Sequence, residues 1–291
     1  MNYSDGYILN KKEVTVTLTE ERATHLIIQR AKQIVSRLIE RRGHGRPPFL
    51  PAEFSRLLGI KRIVKAELGE TSAILLKYPD GYVVKVNQKQ NLFRQNFSCA
   101  HEIGHILFNE LKLEQYIRNI EYRTFNPQGE HKARAAAIER LCDIAARELL
   151  MPEQTFGQYL SNFGISIRSI EWLSTTFRVS IQSSAIRIAE VSPEPCIVLL
   201  WRPWPRSKPK GLRLGWRAGP GKNSQGKVNY MPVHKFVRHP SKLFEAYKQD
   251  KPTKSLKLFS VNNNTKRLPM ESKGFGYGET RYVLSIAPLY G

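Results

Sequence analysis

The chain has 291 residues, 41% of them hydrophobic and 10% aromatic, which excludes a disordered polymer and leaves room for two or three folded domains. Its 46 Lys and Arg against 25 Asp and Glu give a formal charge of +21, so an acidic partner is expected: nucleic acid, an anionic surface or an acidic protein. Three cysteines with no C-x-x-C pair exclude a disulfide framework. With neither a leader-like start nor an apolar run of about 18 residues, we expect no membrane span and a reducing, cytoplasmic setting.

In chain order, "EERATHLIIQRAKQIVSRLIERR" sets Ala23, Leu26, Ile27, Ala31, Ile34, Val35 and Leu38 at helical spacing, predicting an amphipathic helix from Glu20 to Arg42. Arg41, Arg42, Arg46 and the turn-prone "GRPPFLP" follow, and Pro47, Pro48 and Pro51 forbid a continued helix, so this stretch reads as a linker. A short helix over Ala52 to Leu58 precedes two strand-like runs, "SAILLKY" and "YVVKVNQ", joined at Pro79 to Gly81 as a hairpin. The second run could offer an open edge to an extended substrate or be an ordinary internal strand. Next come a helix over Phe93 to Asn109, a polar segment from Glu110 to Lys132, and a second helix stopping at Met151 before Pro152. From Glu153 to Glu190 the pattern is helical, in pieces broken near Gly164 and from Arg178 to Ser180. Beyond Val191, strand-like runs ("CIVLLW", "GLRLGW", "RYVLSIAPL") alternate with Pro, Gly and Asn clusters. Residues 191–291 hold 19 Lys and Arg against 5 Asp and Glu, or +14 of the net charge.

Chemistry concentrates in "NFSCAHEIGHILFNE", Asn96 to Glu110. Positions i and i+4 share a helix face, so His101 and His105 can aim both imidazoles at one ion, and Glu102 can reach a water bound to it. A catalytic zinc needs a third protein ligand. On the second helix Glu139 lies among Cys142, Asp143, Ala146 and Leu150 at three- and four-residue spacing, where a carboxylate is costly to bury without a cation. Glu139 is therefore the candidate third ligand, and Asp143 the partner for the outer nitrogen of a ligating histidine. With Zn2+ in place, Glu102 would act as general base and then acid in peptide hydrolysis without a covalent intermediate. Tyr116, Tyr122, Arg123 and His131 are candidate donors to a developing oxyanion. The bland alternative makes His101 a satisfied core histidine and Glu139 a surface residue. Cys99 and Cys142 are either small buried residues or redox sensors that eject zinc.

With "FSCAHEIGHILFN" and "IERLCDIAARELLMP" in hand, the chain resembles the ImmA/IrrE family of bacterial metallopeptidases from about Leu50 to Glu190. In that family an "AHE-x-GH" helix is followed by "E-x-x-A-N-x-FA-x-x-LLMP", whose glutamate is the third zinc ligand, here Glu139. Cys142, Asp143 and Ala145 replace the usual Ala, Asn and Phe, and Leu57 to Ile60 and Arg94 to Glu102 match the family's preceding segment. The resemblance implies site-specific endoproteolysis directed at helix-turn-helix repressors of stress, phage or mobile-element genes.

The segment "IEWLSTTFRVSIQSSAIRIAE" reads as helix-turn-helix, with Leu173, Phe177, Val179, Ile181, Ala185 and Ile188 as core and Ser180 as cap. Gln182, Ser183 and Arg187 would face outward, either for DNA or as part of a packing or docking module. Further on, Trp201, Trp204 and Trp216 interleave with Arg202, Arg206, Lys208, Lys210, Arg213 and Arg217, a composition suited to single-stranded nucleic acid. The expected fold is α+β. Its parts are an N-terminal amphipathic helix extension (1–46), a zincin-like metallopeptidase domain (47–152), a helix-turn-helix-like module (153–190) and a basic strand-rich domain (191–291). Two functions fit: a zinc endopeptidase acting on a protein partner, or a nucleic-acid-binding regulator whose metal site is structural or vestigial.

Overall fold

The apolar stripe that begins near Glu20 belongs to α1, Lys11–Arg42, in the computed structural model, which describes residues 11–115, 127–205, 210–219, 230–232, 234–261 and 264–289. The helix starts earlier than the sequence suggests because Val14, Thr15, Val16, Thr17 and Thr19 have weak helix propensity, yet extending a formed helix costs little. Ala23, Ile27, Ala31, Ile34, Val35 and Leu38 are buried, where α1 packs on α3 (Leu92–Glu110) and α4 (Pro127–Leu150). Each large aliphatic side chain so buried contributes about 1.5–3 kcal/mol. The α1 helix is therefore part of one unit, Met1–Pro152, together with residues 47–152 rather than an extension to it.

The stretch expected as a linker is pinned. Arg42 Nε donates to Glu53 Oε1 at 2.7 Å, a second guanidinium nitrogen donates to the Pro48 carbonyl at 3.0 Å, and the Leu50 N–H reaches Glu53 Oε2 at 2.9 Å. One helical turn, α2 (Pro51–Phe54), and a 3-10 turn, Ser55–Leu57, lead into the sheet.

That sheet has the order β1-β3-β2, from β1 (Ile60–Ala66), β2 (Ala73–Tyr78) and β3 (Gly81–Asn87). The expected hairpin is β2 with β3, antiparallel, with Leu75 opposite Val84. β3 also runs parallel to β1, with Ile63 opposite Val84. "YVVKVNQ" is thus the internal strand, and the edge beside the hairpin partner belongs to β2. Asn87, at the end of β3, fastens the β1–β2 loop, its Nδ2 donating to the carbonyls of Gly69 (2.9 Å) and Thr71 (2.8 Å). Asn91 caps α3 by accepting from the Arg94 N–H at 2.9 Å.

The second unit, Glu153–Gly291, begins with α5 (Glu153–Ser161), α6 (Ile167–Phe177) and α7 (Ile181–Val191); Ser166 and Ser180 cap the last two. A seven-stranded antiparallel sheet follows, in the order β6-β8-β9-β10-β4-β5-β7. Its strands are β4 (Cys196–Trp204), β5 (Gly211–Ala218), β6 (Tyr230–Pro232), β7 (Phe236–Arg238), β8 (Thr253–Val261), β9 (Asn264–Phe275) and β10 (Tyr282–Pro288). One face packs Trp201, Leu212, Phe259 and Val283 against Leu243 and Phe244 of α8 (Lys242–Lys248). Trp201 is a core residue here, its Nε1 donating to Ser285 Oγ at 3.1 Å, and not a stacking platform. Val198, Leu200, Leu284 and Ile286 alternate with these and are also buried; α7 packs on β4 and β5. α6 is tied to β9 by the Ile167 N–H to Glu271 Oε2 (3.0 Å) and by Lys273 to Glu171 (2.5 Å). Among the described residues no helix is long and apolar enough to cross a membrane.

Candidate metal centre

His101, Glu102 and His105 lie half-buried on α3, and Glu139 and Asp143 lie one turn apart on α4. The two helices approach closely because residue 104 is glycine: a Cβ there would stand 2.7 Å from the Cys142 Cα and 2.8 Å from its carbonyl oxygen. That contact brings Glu139 over the histidines, with Oε2 3.0 Å from His101 Nε2 and Oε1 3.7 Å from His105 Nε2. Asp143 Oδ1 lies 2.8 Å from His101 Nδ1. A proton on Nδ1 satisfies this contact and turns Nε2 toward Glu139, where a cation could be shared between them.

The donor set fits a zinc ion. With metal–ligand bonds near 2.0–2.2 Å, tetrahedral ligand atoms lie about 3.3 Å apart, and the two nitrogen–oxygen separations bracket that spacing. Cys142 offers an alternative donor, since its sulfur and the two imidazoles lie within 4.8 Å of one another. The Glu139 oxygens face both Nε2 atoms, whereas burial, then the Glu139, Asp143 and Glu102 carboxylates, push the Cys142 thiol well up and disfavour the thiolate that a metal requires.

Burial opposes the charged form of His101, but the hydrogen bond and charge of Asp143, helped by Glu139 and Glu102, outweigh it and raise its pKa. His105 is shifted down by burial and by the neighbouring His101, against Glu139. Burial, with repulsion from Glu139, raises Glu102, although His101 and the Leu75 N–H of β2 favour its charged form. A carboxylate with a raised pKa beside a metal site is suited to carry a proton. Removing the Asp143 carboxylate frees the His101 ring to rotate, so Asp143→Ala is expected to weaken zinc affinity about 10–100-fold with the ligands intact. A chelator-competition titration measures this, and an unchanged affinity would show that the imidazole is held by other contacts.

Some of the expected placements fail, and others fall outside the described residues. Arg187 is buried and paired with Glu190 at 3.3 Å, because α7 lies on the sheet; it is not outward chemistry for a DNA groove. Arg202 and Arg213 face each other across β4 and β5, but Arg217 pairs with Leu199 on the opposite face, since the register shifts by one at Gly215. Lys210 is exposed just before β5. Arg206 and Lys208 lie outside the described residues, as do Tyr116, Tyr122, Arg123 and the His131 side chain. Sequence reasoning missed Gly104 and Leu75. The glycine was readable in "HEIGH" as a close-approach signal, but the Leu75 backbone contact has no sequence signal at all.

Two histidines and a glutamate on one helix, met by a carboxylate from a second helix and flanked by a small sheet, define a metallopeptidase-type domain. Residues 59–189 match the family model described as the IrrE N-terminal-like domain, peptidase M78. Two curated relatives are similar over part of their length. The radiation response metalloprotease IrrE of Deinococcus radiodurans is 32% identical over 126 residues, 43% of this chain and 36% of that protein. The protein of the same name from Deinococcus deserti is 29% identical over 119 residues, 41% of this chain and 40% of that protein. The family-model match, over residues 59–189, and the likeness to these metalloproteases agree with the resemblance to the ImmA/IrrE family. The chain matches well under half the length of these relatives. A Mycobacterium tuberculosis transcriptional regulator shares the fold, with a TM-score of 0.61 at 12% identity, covering 95% of this chain and 81% of that one.

Proposed function

We propose that the chain is a cytoplasmic zinc-dependent endopeptidase that hydrolyses a peptide bond in a protein partner, a helix-turn-helix transcriptional repressor, and so induces stress, phage or mobile-element genes. The observation that carries the reading is the convergence of His101 Nε2, His105 Nε2 and the Glu139 carboxylate at 3.0 and 3.7 Å beside Glu102. His101, His105 and Glu139 would hold the zinc. Bound zinc supplies a Lewis acid for the substrate carbonyl and acidifies water toward neutrality. The Glu102 carboxylate takes a proton from the attacking water and delivers it to the leaving amine. Asp143 keeps the His101 Nδ1–H occupied and the ring in place.

Substrate binding falls to β2. It is an edge strand of the small sheet and packs on α3, and the Leu75 backbone favours the charged form of Glu102, so an extended peptide paired along β2 would pass near the catalytic group. The metalloprotease names of the Deinococcus relatives support the peptidase activity, and the repressor as target rests on the family resemblance alone.

The test is zinc content by mass spectrometry on wild type, His101→Ala and Glu139→Ala, followed by incubation of the wild type with candidate repressors. One zinc per wild-type chain, lost in both variants, and a discrete cleavage product are expected. A folded wild type that neither holds nor takes up zinc would overturn the reading.

A further inference from the structure

The register of the large sheet sorts the basic residues of the second unit more finely than the sequence does. Arg202 on β4 lies opposite Arg213 on β5, which lies opposite Phe236 on β7. Directly opposed residues of antiparallel strands point to the same face, so these three form one row. Two positions along, Trp204 lies opposite Gly211 and Gly211 opposite Arg238, giving a second row on that face. Leu212 and Val237, which lie between the rows, point the other way into the core, as does Trp201 just before them.

Both rows are open. Trp204 is 51% exposed and Phe236 37%, and Arg202, Arg213 and Arg238 are exposed. The Arg213 guanidinium stands 5.5 Å from the Trp204 ring centroid. Gly211 leaves room for the Phe236 ring, because a Cβ there would come within 2.8 Å of Phe236 Cζ. Among the described residues no carboxylate pairs with Arg202, Arg213 or Arg238. The row also continues inward: Tyr282 of β10, half-buried, stacks on Phe275 at 5.9 Å and feels the charge of Arg202.

We propose that this face of β4, β5 and β7 binds single-stranded nucleic acid, with Trp204 and Phe236 stacking on bases and Arg202, Arg213 and Arg238 on phosphates. The chemistry selects that ligand. Two exposed rings set among cations match unpaired bases strung on a phosphate backbone, and a sheet face is a common platform for such stacking. In a duplex the bases are already stacked, so the exposed rings would find no free base faces there. An acidic polypeptide would satisfy the arginines but leave the rings nothing to stack on. The excess of 19 basic over 5 acidic residues in 191–291 supplies attraction at a distance.

The test uses the full chain and fluorescence anisotropy with labelled dT15, rU15 and a dT15·dA15 duplex over a salt series. Single strands are expected to bind at least about 10-fold tighter than the duplex, the dT15 and rU15 arms reporting whether DNA or RNA is preferred. Trp204→Ala should weaken single-strand binding about 10-fold, with an unchanged melting temperature because the ring is exposed. Combining Arg202→Gln, Arg213→Gln and Arg238→Gln should flatten the slope of log K against log salt by about 2, at about 0.7 for each phosphate no longer neutralised. Arg217→Gln, on the other face, should leave the slope within about 0.3 of wild type. The proposal is overturned by equal affinity for duplex and single strand, by a Trp204→Ala protein that binds like wild type, or by displacement of the oligonucleotide by poly-glutamate at equal charge.

Discussion

A Glu102→Gln protein is expected to take up zinc as the wild type does and to cleave its substrate about 10²–10⁴-fold more slowly, the range for losing a positioned acid–base group. The substitution is nearly isosteric, and the amide oxygen can still accept from the Leu75 N–H, so β2 and α3 keep their contact. Glu139 and the two histidines are untouched, so the metal count should not change. What goes is, among the described residues of this site, the group that can both accept a proton and release it while holding no metal. Glu139 is committed to the imidazole nitrogens and Asp143 to His101 Nδ1. Metal analysis and single-turnover cleavage on the same preparations decide the matter. Loss of metal in Glu102→Gln would make Glu102 a ligand, and wild-type cleavage would place the base elsewhere.

How much of this was legible depended on how local the signal was. The helices bearing the site follow from residues within two turns of one another. His101 and His105 share a face by spacing alone, and Glu139 and Asp143 stand out as carboxylates in an apolar pattern. What no spacing could give is that Glu139 and His101 meet, since that depends on contact between two helices; the structure puts them 3.0 Å apart. β1 escaped notice because "IKRIVKA" places Lys61 and Arg62 together and so breaks the alternation of a strand. The seven-residue α8 is too short to show a period. Arg187 looks outward on a helical wheel and is buried because the sheet covers α7, a tertiary fact. Arg213 and Arg217 have the same parity in sequence and opposite faces in the sheet, because one unpaired glycine between them reverses the alternation. Long-range contacts and single-residue register shifts are the two kinds of information a linear pattern lacks.

The close approach at Gly104 makes the second large effect, and here two physical terms compete with opposite signs. In a solvent-exposed helix, replacing glycine by alanine stabilises by up to about 1 kcal/mol through lost backbone freedom in the unfolded chain. Gly157, in α5 with nothing within 4 Å of its would-be Cβ, should behave that way. At Gly104 the new Cβ would sit 2.7 Å from the Cα and 2.8 Å from the carbonyl oxygen of Cys142. These are backbone atoms of α4, with no side-chain rotamer to relieve them, so the helices must part by about 1 Å to regain van der Waals contact. Overpacking of this kind costs about 1–3 kcal/mol, which exceeds the propensity gain. The displacement also reaches the metal. Glu139 is carried on α4 while His101 and His105 stay on α3, and a site tolerates errors of only about 0.2 Å in its bonds. Gly104→Ala is therefore expected to lower the melting temperature while Gly157→Ala raises it, and to weaken zinc binding at least about 10-fold. Truncating Cys142 to alanine in the same protein should restore neither property, because the clash is with its main chain. Thermal unfolding and chelator competition on the three variants give the answer, and a Gly104→Ala protein as stable and as metal-bound as wild type would mean that the helix contact does not set the geometry of the centre.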